Sequence, residues 1–131
     1  MELVPRGTEV TSSGDGAAVD TSASRTRTFV VTLDITDTIE QQSIDLWIHG
    51  SEDGQNFSPK ALLKLPQRFY RGETRLVLDI SQRPEIKAIR AHWDLNRWGR
   101  VAPTPRFVIG VSLEEVPAFP KRTPAPAAAS A

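Results

Sequence analysis

The chain has 131 residues, with 16 basic and 16 acidic side chains and a formal net charge of zero. That length suits one domain around one core, and the charge balance excludes the basic excess of a general nucleic-acid binder. With no cysteine there is no disulfide framework, thiol nucleophile or thiolate metal site, and no apolar run is long enough to span a membrane.

The first six residues, Met-Glu-Leu-Val-Pro-Arg, lack the apolar core of a signal peptide, which predicts a protein kept in the cytoplasm unless it leaves in a larger particle. Residues 3–7, Leu-Val-Pro-Arg-Gly, resemble a thrombin-cleavage sequence and are set outside the predicted fold. Residues 8–27 are small and polar, a composition that favours turns and short edge strands, here at 8–11 and 17–20, over helix.

From there the apolar period is two. Phe29, Val31, Leu33 and Ile35 alternate with Thr28, Val30, Thr32, Asp34 and Thr36; Ile44, Leu46 and Ile48 alternate with Asp45, Trp47 and His49. Residues 61–65 predict a weaker strand. Leu76, Leu78 and Ile80 alternate with Arg75, Val77 and Asp79. Residues 85–98 contain good helix formers, but Ile89, Ala91, Trp93 and Leu95 alternate with Arg90, His92, Asp94 and Asn96, which favours a strand. Phe107, Ile109, Val111 and Leu113 form the last alternating set. Turn signals separate these runs: Asp53-Gly54, Arg71-Gly72, Pro84, Gly99 and Pro103 to Pro105, and they are read as closing hairpins.

The predicted fold is therefore all-β, an antiparallel two-sheet β-sandwich of jelly-roll or immunoglobulin-like type. It comprises a flexible N-terminal arm over residues 1–26, the sandwich over 27–115 and a tail over 116–131. The tail is dominated by proline and alanine and reads as extended, polyproline-like chain.

The catalytic inventory is poor. Only His49 and His92 are present, each opposite the apolar face of its strand. If their strands are neighbours, Asp45, His49, Arg90, His92 and Asp94 share one outer face. That set could bind a metal or exchange protons; its plainer meaning is a solvated sheet face with cross-strand charge pairs. No Gly-x-Ser-x-Gly elbow, phosphate loop or His-Glu-x-x-His occurs. Residues 51–56 resemble a calcium loop superficially, but the distant bidentate Glu is missing and a hairpin turn explains them. No cofactor or metal is expected.

The aromatic residues offer a sharper alternative. Trp47 and Trp98, with Arg90 and Asp94, would give a carbohydrate-binding module a flat apolar platform and polar partners. Alternatively Trp47 caps the sandwich edge or packs beneath a loop or neighbouring subunit. The run Arg97-Trp98-Gly99-Arg100 fits an interface with an acidic or aromatic partner, or a solvated turn.

The order of these features resembles small β-sandwich structural proteins of tailed phages and prophages. The likeness runs over residues 8–114. It is carried by the polar start at 10–20, the strand Thr-Phe-Val-Val-Thr-Leu-Asp-Ile-Thr at 28–36, and Leu46-Trp47-Ile48. It continues through Ser-Glu-Asp-Gly-Gln-Asn-Phe at 51–57, Ile-Arg-Ala-His-Trp at 89–93 and Phe-Val-Ile-Gly-Val at 107–111. Residues 61–70, the charged 85–100 strand and the tail depart from it. The resemblance implies a virion component of capsid-decoration or tail-associated type, assembled in the cytoplasm, with no catalytic residue to carry over. The expected function is non-enzymatic: self-association as a homo-oligomer, or docking on a larger protein assembly. Neither nucleic acid nor membrane is expected as partner.

Overall fold

The structure, a computed structural model, describes residues 1–99 and 104–117. Among these residues there is no helix, and so none long and apolar enough to cross a membrane. The strands in chain order are β1 (Glu2–Val10), β2 (Gly14–Asp15), β3 (Val19–Asp20), β4 (Thr28–Thr38), β5 (Gln42–Ser51), β6 (Leu63–Lys64), β7 (Gly72–Asp79), β8 (Ala88–Arg97) and β9 (Phe107–Glu115). They form two antiparallel sheets. One runs β1-β9-β4-β7; the other runs β2-β8-β5-β6, with β3 also on β8. The predicted β-sandwich is the observed architecture.

The alternating residues explain the layering. On β4, Phe29, Val31, Leu33 and Ile35 are buried while their neighbours are half-buried, because successive side chains leave opposite faces of a pleated strand. Phe107, Ile109, Val111 and Leu113 of β9 do the same beside them. Ile44, Leu46 and Ile48 of β5 and Ile89, Ala91 and Trp93 of β8 complete one continuous core from the other sheet. Trp93 lies inward and its indole N–H donates to the Ser12 carbonyl at 3.0 Å. That bond satisfies the ring's polar end and lays residues 12–15 along β8.

Residues 1–26 are not an arm outside the sandwich. They supply three strands, and residues 3–7 lie inside the first of them. Leu3, Val4 and Val10 are core residues. The ladder between β1 and β9 shifts register twice, between Glu2 and Val4 and between Val4 and Thr8. The second shift takes up Pro5, which lacks an N–H for the ladder, and Gly7, whose φ of 87° suits glycine. Across from this bulge, a Cβ on Gly110 would come within 2.8 Å of the Arg6 Cα, so a side chain there would push β1 away. A bulged strand interrupts the period of two, and the thrombin-like residues 3–7, expected outside the fold, are part of it.

Most connections also differ from the hairpins expected. Among the described residues, only the turn after β5 folds back within its own sheet. The β7–β8 and β8–β9 connections cross from one layer to the other. Polar side chains hold these crossings. Gln42 is buried and uses both ends of its amide: Arg106 N–H donates to its Oε1 at 2.8 Å, and its Nε2 donates to Thr38 Oγ1 at 2.7 Å and to the Arg106 carbonyl. At the other end, the Arg27 guanidinium donates to the carbonyls of Ile80, Thr21, Arg83 and Ile86. Glu115 Oε2 accepts from the backbone N–H groups of Arg25 and Thr26 and from the hydroxyls of Ser24 and Thr26. The proposed tail begins at the edge of this scaffold: Val116 N–H donates to the Thr28 carbonyl at 2.8 Å, and residues 118–131 lie outside the described residues.

Two predictions follow from these contacts. Leu3→Ala removes a fully buried side chain and is expected to cost about 2–5 kcal/mol, read as a lowered denaturation midpoint; an unchanged midpoint would show that β1 is dispensable. The bonds to Glu115, led by the Thr26 N–H, lower its carboxyl pKa from 4.5 to about 2. A depressed folded pKa contributes stability that is present above the ordinary glutamate value and lost as pH falls toward about 2. Glu115→Gln should therefore flatten the acid limb of a stability-against-pH curve below pH 4.5, while leaving the neutral limb parallel to that of the parent.

Candidate functional site

The outer face of the β8–β5 sheet carries the sequence-predicted residues. Its register sets Asp45 opposite Asp94, Trp47 opposite His92 and His49 opposite Arg90. Asp45, Trp47 and His49 alternate with the buried Ile44, Leu46 and Ile48, so the hydrophobic demand of the core turns them outward. Three of the four predicted ligand-binding residues, Trp47, Arg90 and Asp94, thus share one face. Trp98 lies just past the end of β8, six residues beyond the position opposite Trp47, or roughly 20 Å along an extended strand. It does not join Trp47 in one platform.

The polar groups on this face largely satisfy one another. His92 Nδ1 lies 2.8 Å from Asp15 Oδ1, and its Nε2 lies 3.3 Å from Asp94 Oδ1. His49 Nδ1 lies 2.8 Å from the Ser58 carbonyl oxygen. The two imidazoles meet edge to face, with centroids 5.9 Å apart. Arg90 stacks its guanidinium over the Phe57 ring at 4.3 Å, with Nε 3.7 Å from Asp15. Gln67 donates to Asp45 Oδ2 at 3.1 Å. Trp47 is half-buried between the Lys64 ammonium, 5.3 Å from its centroid, and His92, whose ring lies 5.7 Å away. It is flanked on the sheet face by side chains of the two neighbouring strands, β6 and β8.

Among the described residues, no group of three His, Asp or Glu is placed to hold a metal ion. The loop at 51–56 is a hairpin turn. Asp53 Oδ1 accepts from the Gln55 and Asn56 N–H groups at 2.8 Å each, and Gly54 takes a φ of 82°. Those bonds, the Asn56 N–H first, hold the Asp53 carboxyl well below the usual range. Its oxygens are engaged by N–H donors and the Ser51 hydroxyl and do not converge on a cation site.

Other residues gather where sequence reading did not place them. Residues 57–68 run back along β5, touching it at Ser51–Phe57, at β6 and at Ile44–Arg68. This return carries Phe69 and Tyr70 to the end of the sheet beside Trp98. Ring centroids lie 6.1 Å apart for Phe69–Tyr70 and 6.2 Å for Phe69–Trp98. All three rings are exposed, at 38%, 75% and 52% respectively. The adjacent pair Phe69-Tyr70 just after Pro66 was the available signal, but only the Ile44–Arg68 bridge brings it to Trp98. Arg100, the second arginine of the Arg97–Arg100 run, lies outside the described residues; Arg97 donates to the Glu40 carbonyl.

Compared with family models, with curated proteins and with solved structures, the chain matches none. One consequence of the strand register is measurable on the sheet face itself. Asp45 and Asp94 stand directly opposite, a like-charge arrangement that opposes pairing. Asp45→Asn should raise stability by about 0.2–1 kcal/mol, seen as a higher unfolding midpoint, because the amide oxygen can still accept from Gln67. A lower midpoint would mean that the carboxylate is needed for packing.

Proposed function

We propose that this chain is a non-enzymatic structural module that works by docking, on copies of itself or on a larger protein assembly. The observation that carries the reading is the Phe69–Tyr70–Trp98 patch. Three touching rings left open to water are an unusual expense for a small sandwich with a complete core. Aromatic side chains of this kind anchor protein interfaces, where they bury large area with little loss of rotamer freedom. Supporting it, the histidine face is occupied by internal hydrogen bonds, and its shallow recess by Asp15, Phe57, Arg90 and His92 is open to solvent. A virion subunit of decoration or tail-associated type is one form of this function and rests on the resemblance given from the sequence. Capsid and tail genes beside this one would support that form, and unrelated neighbours would count against it.

A second reading, saccharide binding, draws on the same patch, since Tyr70 and Trp98 expose the flat faces on which sugar rings stack. Light scattering over a concentration series separates the two. The docking reading expects the mass to rise with concentration, and to rise less for a Tyr70→Ala, Trp98→Ala double variant. A mass that stays monomeric, with tryptophan fluorescence that responds to saccharides and loses the response in Trp98→Ala, would replace docking with saccharide binding.

A further inference from the structure

The free edges of the two sheets are not alike. In the β8–β5 sheet, β2, β3 and β6 are each two residues long, and the return along β5 is interrupted around Pro59 and Pro66. Short and broken strands of this kind cannot template a further strand. At one end of the other sheet, β1 is disrupted by two register shifts and by Pro5. At the opposite end, β7 pairs with β4 over all eight residues without a shift and contains no proline. Nothing among the described residues pairs with its other side.

The orientation of that edge follows from one bond. Ile80 N–H donates to the Arg27 carbonyl. With a period of two, Leu78, Leu76 and Thr74 likewise turn their N–H and C=O groups toward β4. Arg75, Val77 and Asp79 therefore direct theirs outward, unpaired. Val77, 58% exposed, sits in the middle of this row. At the other end of the strand, Thr74 is buried and its hydroxyl accepts from Arg68 Nε at 2.6 Å, so the edge there is overlaid by the 68–71 segment.

We infer that this edge pairs with the same edge of a second copy, antiparallel, with Val77 opposite Val77 on a two-fold axis. The inference rests on the docking reading, takes a second copy as the partner and adds a contact distinct from the Phe69–Tyr70–Trp98 patch. Charge selects the register. Registers that keep both outer faces on one side pair odd residues with odd. Centring on Arg75 sets that arginine against itself, and centring on Leu76 sets Glu73 against Asp79. Centring on Thr74 places the contact under Arg68 and leaves Val77 beyond the strand. Centring on Val77 sets Arg75 opposite Asp79 twice, pairs Leu76 with Leu78 and covers the exposed valine. Asp79 Oδ1 accepts from Ser81 and Thr28, and Oδ2 is left without a bond; Arg75 pairs with Glu73 on its own strand at 3.4 Å, an exposed pair whose guanidinium has donors to spare for Asp79 of the second copy. The contact is isologous and closes on itself, so it yields a dimer with one continuous sheet and no filament.

The absence of cysteine makes the test direct. In Val77→Cys the paired Cα atoms would lie about 5.5 Å apart, within reach of a disulfide. Mild oxidation is expected to convert most of the protein to a covalent dimer, whereas Ser112→Cys, exposed on the central strand β9, stays largely uncrosslinked. Val77→Lys, at an exposed position, places two ammonium groups on the axis and should weaken the dimer by about tenfold or more, with an unchanged β-sheet circular dichroism spectrum at low temperature as the check on folding and a melting midpoint that no longer rises with concentration. If the parent protein associates but Val77→Lys associates equally well and Val77→Cys crosslinks no better than Ser112→Cys, the edge is overturned and the docking reading stands. If the parent stays monomeric at every concentration, self-association through any surface is overturned.

Discussion

Everything in this molecule depends on the inward residues of β4 and β9 meeting those of β5 and β8. Phe29, Phe107, Leu33, Leu46, Ile48, Ile89 and Ile109 are essentially withdrawn from water. Without disulfides, this apolar burial opposes the conformational entropy of the chain. Because each strand commits alternate residues to the core, the remaining side chains have no choice of direction. The face bearing Trp47, His92 and Asp94 exists because Leu46, Ile48 and Ala91 had to point the other way.

The sandwich could be read from this alternation, and so could the shared outer face of Asp45, His49, Arg90, His92 and Asp94. What alternation cannot supply is pairing. That Trp47 faces His92, and that Asp45 faces Asp94, is set by the register between β5 and β8, which are separated in the chain by β6 and by β7 of the other sheet. Asp15 reaches His92 because the short β2 ladder and the Trp93–Ser12 bond lay the chain along β8. The N-terminal strand was set aside for a different reason, the likeness of residues 3–7 to a thrombin-cleavage sequence. Pro5, Arg6 and Gly7 break its period, and only the β9 partner makes sense of Leu3, Val4 and Val10. The Phe69–Tyr70–Trp98 patch joins segments far apart in sequence, so no local pattern announces it.

The polar interior is small and placed at the two ends. Gln42 holds the start of β9 against the start of β5, and Arg27 gathers four carbonyls where the chain passes between layers. Buried or half-buried polar groups specify a unique arrangement when all their bonds are made. Here they fix how the crossing connections sit, and through them the relative position of the sheet faces and edges.

The return of the chain along β5 has an evolutionary corollary. It is fastened at a few separate points, Phe57, Leu62, Leu65 and Arg68 among them, with prolines in between. No ladder counts residues across those gaps, so residues can be gained or lost between fastenings without shifting the register of any core strand. Descendants of this fold can thus lengthen, shorten or redecorate that flank while the layered interior stays as it is.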